Sequence, residues 1–155
     1  MLADDVATRL ESTVDALSGR IKPALDLSEM MRRKALPNYT PAAFVLPNGI
    51  AGGRAQSSEN AFLQMADELV SVVLIQRSAG DVRGSKGQAP LQTLVWAVIL
   101  ALCGWEPAAM GASDASGSDP VGVLELRRGR LLSLDAGTVF YQLDFAISQQ
   151  VRVIS

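Results

Sequence analysis

The sequence predicts an α+β domain: one mostly antiparallel sheet of about four strands, with helices packed on one face, in the order helix-strand-strand-helix-strand-strand. Three stretches carry that prediction. Pro90 to Trp105, PLQTLVWAVILALCGW, has no polar side chain from Leu94 to Cys103. It is too short to span a bilayer, which takes about 20 apolar residues, so it reads as a helix buried on more than one side. Leu69 to Ile75 is β-branched and apolar on both faces, as a central strand requires. Thr138 to Ser148 alternates with a period of two: Val139, Tyr141, Leu143, Phe145 and Ile147 point one way, and Thr138, Gln142, Asp144 and Ser148 the other, with Phe140 and Ala146.

The elements follow in order. Residues 2–18 form an amphipathic helix, because Leu2, Val6, Leu10, Val14 and Leu17 recur at helical spacing. Asp4 and Asp5 in its first turn suit the helix dipole, and Gly19 stops it. Ser28 caps a short helix, Glu29 to Ala35, ended by Pro37. Arg32, Arg33 and Lys34 make a basic run there, read as a solvated helix end or as a contact for an acidic partner. Ala42 to Leu46 is a short buried strand, closed by Pro47 and Gly49. The Gly- and Ser-rich NGIAGGRAQSSEN that follows reads as a mobile loop or arm. It lacks the GxxxxGK[ST] spacing and any Lys, so it is no phosphate-binding loop.

After the strand centred on Leu69 to Ile75, the polar GDVRGSKGQ leads into the apolar helix. Pro90 is tolerated near that helix's first turn, and Gly104 and Pro107 end it. Leu91, Val95, Val98 and Leu102 share its inner stripe, with Trp96, Ile99 and Leu100 outside it. Two covers are open for that outer side: the helix of residues 2–18, or a neighbouring subunit. Residues 108–120 hold too few large apolar groups to pack and read as a flexible loop. Gly122 to Arg128 is a strand, continued by Arg130 to Leu134 past a bend at Gly129. Asp135-Ala136-Gly137 turns the chain into the alternating strand. The tail QQVRVIS extends that strand or adds to the sheet edge of another chain.

Composition bounds the function. The 155 residues suffice for one domain, 1–155, with a substantial core. They are 48% hydrophobic and 19% charged, against about 25% charged for a typical domain. That shortage suggests surface covered by partners. A net charge of −2 exerts no global pull on nucleic acid or anionic membrane. The acidic N-terminus reads as no secretory signal.

The sequence has no histidine and one cysteine, Cys103. Ser–His–Asp and Cys–His arrangements are therefore impossible, and an ordinary zinc site is excluded. Within an apolar helix, Cys103 reads as an inert core filler. Asp4/Asp5 and Asp67/Glu68 are adjacent acids that point in different directions, so neither pair makes an acid/base couple. No catalytic, cofactor-binding or metal-ligating residue is identified. Arg127, Arg128 and Arg130 read as edge-strand charge, or as a contact to an acidic partner or between subunits. They form one patch only if Gly129 kinks the chain. Trp96 and Trp105 read as core residues rather than stacking platforms, since no basic groove accompanies them.

AAFVLP, then an apolar strand, then the Arg83–Gly84 loop, a long apolar helix closing on Gly104-Trp105 with Pro107, then GRLLSLDAG and an aromatic strand: this order over residues 40–148 resembles the tail terminator proteins of long-tailed bacteriophages and prophages. The resemblance implies a small α+β protein forming a hexameric ring of identical subunits. Such a ring sits on the last ring of the tail tube, stops polymerisation and docks the neck proteins of the head, with the sheath as a further neighbour in contractile phages. DNA passes through the bore without specific binding. The implied place is the head-proximal end of the virion tail, assembled in the host cytoplasm, with no membrane, cofactor or catalytic residue. The motif residues Phe44, Pro47, Gly104, Trp105 and Arg130 are implied to be structural. The segment 22–40 and the loop 108–120 are longer than the family pattern. A ring buries two different patches per subunit, which suits a helix that is apolar all round. The alternatives are another neck or tail ring, such as a head-closure protein or the cap of an injection device, and a small enzyme or ligand-binding domain.

Overall fold

A computed structural model describes residues 2–33, 39–77, 85–107, 118–120, 122–135 and 137–154. Helix α1 is Leu2–Thr13, followed by a single 3₁₀ turn, Asp15–Leu17. Strand β1 is Ile21–Pro23 and helix α2 is Ala24–Arg33. Strands β2 (Ala42–Ser58) and β3 (Ala61–Arg77) form a long hairpin. Helix α3 is Ser85–Leu102. Strands β4 (Ser118–Pro120), β5 (Glu125–Asp135) and β6 (Thr138–Ile154) complete the described chain.

The fold class is α+β, and the sheet is richer than expected. It has six strands in the order β1-β2-β3-β6, with β4 and β5 sharing the far flank of β6. The pairing of β1 with β2 is parallel and every other pairing is antiparallel. The loop expected over 108–120 therefore ends in a strand, Ser118–Pro120 against Gln149 to Val151. The rest of that loop, and the Arg83–Gly84 segment, lie outside the described residues.

The expectation that all helices pack on one face is corrected. One core cluster joins Leu2, Val6 and Leu10 of α1 and Leu91, Val95 and Val98 of α3 to Ala43, Val45, Val70, Val72, Leu74, Leu143 and Phe145. The other joins Phe44, Val73 and Ile75 to Leu27 and Met30 of α2, with Leu46 and Phe140. Successive residues of a strand face opposite sides, so the two clusters lie on opposite sheet faces. Helices α1 and α3 cover the first face, called the front, and α2 covers part of the back. Helix α2 also starts five residues before the expected Glu29. Its anchor is the pair Leu27 and Met30, one turn apart and only half-buried.

Helix α1 seats beside α3. The Arg9 Nε donates to the Ala101 carbonyl at 3.1 Å, and its guanidinium lies 5.4 Å from the centre of the Trp105 ring. Ile99 is buried, although it lies off the expected inner stripe. Helix α3 begins before Pro90, so that residue lies inside the helix rather than in its first turn. Gly104 ends the helix with φ +80, and its N–H donates to the Leu124 carbonyl at 2.8 Å. An L side chain at that φ is strained by about 1–2 kcal/mol. Gly104→Ala should lower stability by that amount in urea titration, with no steric contribution, since a Cβ there meets nothing within 4 Å.

The Gly- and Ser-rich segment after Pro47 is an arm made of strand. Beyond the body, β2 pairs with β3 as far as Ser58 opposite Ala61. Strand β6 continues along β3 as far as Ile154 opposite Ala61. Pro47 and Ser58 lie opposite Val70 and Ala61 of β3, a span of roughly 30 Å at about 3.3 Å per residue. Residues 47–58 are all exposed. These residues have weak strand propensity of their own. Their ladder to β3, itself held on its other edge by β6, keeps them extended.

Candidate interaction surfaces

Three uncovered surfaces stand out, and none resembles a catalytic pocket. Among the described residues, no three Cys, Asp or Glu side chains could hold a metal ion. No helix among them is long and apolar enough to cross a membrane.

The first surface is the outer side of α3. Trp96 is 54% and Leu100 75% exposed. They stand one turn apart on the same side. Trp96 is thus not the core residue expected from the sequence. Cys103 is also exposed, in the turn after the helix, which corrects its reading as a core filler. In both cases α1 covers only one flank of α3. Trp105 alone of the two tryptophans packs against the core, half-buried under Arg9.

The second surface is β5 at the sheet edge. Leu131 is 54% exposed, and Leu126, Leu132 and Leu134 are exposed beside it. Pairing with β6 shifts register between Leu126 and Arg128, and again between Leu131 and Ser133. The bulge at Arg127 sets the arginines. Arg128 lies opposite Asp144 and Arg130 opposite Gln142, both on the back of the sheet. Arg127 reaches Asp67 at 3.0 Å and Glu125 at 2.9 Å. All three therefore fall on one side, through a bulge at Arg127 rather than a kink at Gly129, because a bulge puts two neighbours on one face. Arg127→Ala should change stability by less than about 1 kcal/mol, since its ion pairs are solvent-exposed.

The back of the sheet beyond α2 carries a connected polar row. Asn48 Nδ2 donates to Ser71 Oγ at 2.8 Å, and Ser71 Oγ donates to Asp144 Oδ1 at 2.6 Å. Gln142 Nε2 donates to the same Asp144 oxygen at 2.7 Å. Ser148 Oγ donates to Asp67 Oδ1 at 2.7 Å. Ser71 is buried, so its hydroxyl needs these partners.

The third surface is the arm. Ile50 and Val153 are exposed on it, lying opposite Glu68 and Phe62 on the front-facing side. Among the described residues, no helix covers Ile50 or Val153.

The motif residues separate accordingly. Phe44, Gly104 and Trp105 hold the fold: Phe44 is buried on the back face, and Leu124 N donates to the Trp105 carbonyl at 2.9 Å. Pro47 and Arg130 are exposed. In the basic run, Arg32 and Arg33 pair with Glu29 at 2.8 and 3.5 Å, and Lys34 lies outside the described residues. A helix apolar all round signalled that the side carrying Trp96 and Leu100 needs a cover, and not that it stands exposed. The extent of the arm had no such signal.

No curated protein matched the chain. A model of the phage tail terminator protein family matches it over residues 2–155. That match takes in both helices of the front face, the arm and β5, so the protein belongs to the phage tail terminator family.

Proposed function

We propose that this protein forms a homohexameric ring on the head-proximal end of the tail tube, ends tube polymerisation there and docks the neck proteins of the head. Its family makes it a structural part of a phage tail, in contact with other tail components. The observation that carries the finer reading is the arm. Its outer part, residues 50–58 of β2 with Ala61 to Met65 of β3 and Gln149 to Val153 of β6, contributes nothing to either core cluster. It suits a contact with a neighbouring ring or subunit. The exposed apolar residues of α3 and β5 support the same reading, because each subunit of a closed ring hides two different patches. The tube lies below the ring and the neck above it, with the sheath alongside in a contractile tail. DNA passes through the bore, and a net charge of −2 suits a conduit that must release phosphates.

Tube length is the test. Cells producing tail proteins without this one are expected to yield tubes of uncontrolled length. Purified protein added during assembly should restore a single length. Tubes of normal length in its absence would overturn the proposal.

A further inference from the structure

We propose that β5 of one subunit seats its leucines in the groove between α1 and β1 of the next, making the interface that closes the ring; this rests on the ring reading above. The groove has a volume of about 410 Å³ and is lined by Ala3, Ala7, Ile21, Leu25, Val45 and Pro47. Leu25 is 71% exposed at its rim. Strand β5 carries Leu131 and Leu134, both exposed.

Groove and leucines belong to opposite edges of one sheet, β1 at one side and β5 at the other. They also share its front face. Leu131 lies opposite Tyr141 and Leu134 opposite Val139, both in the front cluster, while Val45 and Ile21 at the groove belong to that cluster too. One copy rotated about a common axis therefore brings its β5 to the groove of the next without inverting. A closed cycle covers both patches in every subunit. A foreign partner would cover one and leave the other bare.

Charge agrees with a second copy. Arg128 and Arg130 are exposed on β5, and neither has an ion pair among the described residues. Asp26, next to Leu25 in the first turn of α2, is likewise exposed and unpaired among them. It lies on α2, the helix on the back of the sheet, the side on which the two arginines stand on β5. Lys22 lines the groove as well, but its ammonium lies 5.4 Å from the centre of the Tyr39 ring.

The test places cysteines at Leu25→Cys and Leu131→Cys in a Cys103→Ser background and treats the protein, alone and on tail tubes, with a short bismaleimide. Both positions are exposed, so the fold should tolerate them. The double-cysteine protein is expected to give a covalent ladder rising to the full ring, and each single-cysteine protein none. In parallel, Arg130→Glu should weaken self-association about tenfold, and adding Asp26→Arg should restore it. A ring that closes with neither the ladder nor the charge rescue overturns this interface and leaves the ring reading standing. Cross-links to the tube protein in place of the ladder also overturn it. Wild-type protein that forms no ring on tubes overturns both.

Discussion

Phe145→Ala is expected to destabilise the protein by about 3–5 kcal/mol. Phe145 is fully buried in β6, opposite Val70 on β3 and Leu126 on β5. It belongs to the cluster that joins α1 and α3 to the sheet. Truncation removes its apolar burial and leaves a cavity that three strands and two helices must close around. Native domains hold only about 5–15 kcal/mol in reserve, so the variant should unfold at markedly lower denaturant with an unchanged slope. Trp96→Ala is the contrast. That ring is already more than half in water, so the fold should lose little, and only assembly should suffer. A Phe145→Ala protein as stable as wild type would show that the front cluster is not the core.

Gln64→Pro should separate arm from body. Gln64 sits in the middle strand of the arm, between Ala55 of β2 and Val151 of β6. Proline cannot donate to either ladder and is disfavoured in a central strand. An unmade hydrogen bond costs about 1–3 kcal/mol, and the arm has little burial to offset it. Amide exchange should therefore accelerate along residues 50–66 and 149–154, while amides beneath α1 and α3 stay protected. Tube-length control should be lost with it. A variant whose arm exchanges freely but which still sets tube length would remove the arm from the contact.

Both predictions rest on features that differ in how far the sequence announced them. The front face was legible. Leu2, Val6, Leu10, Val14 and Leu17 are all buried as their spacing requires. The alternation of β6 placed Val139, Tyr141, Leu143 and Phe145 on one side, where the structure has them, and Phe140 on the other. Such patterns are legible because burial on one face imposes a period. The arm was not, because PNGIAGGRAQSS has no apolar period and owes its extension to a partner strand. Strand β1 is three residues long and shows no period. Helix α2 was displaced because its apolar content is two half-buried residues, too few to fix its ends or its sheet face. Cys103 and Trp96 were misplaced for a common reason. Hydrophobicity marks a side chain that gains from cover, and it does not say whether the same chain provides it. Both residues lie at the outer side and end of α3, which is exposed.

Electron microscopy of intact tails, with the protein located by a bound antibody fragment and by symmetry of the density, tests the central claim most directly. A closed ring of six copies at the head-proximal end of the tube, arms directed at its neighbours, is the predicted result. Density distributed along the tube, or at the end away from the head, would contradict it.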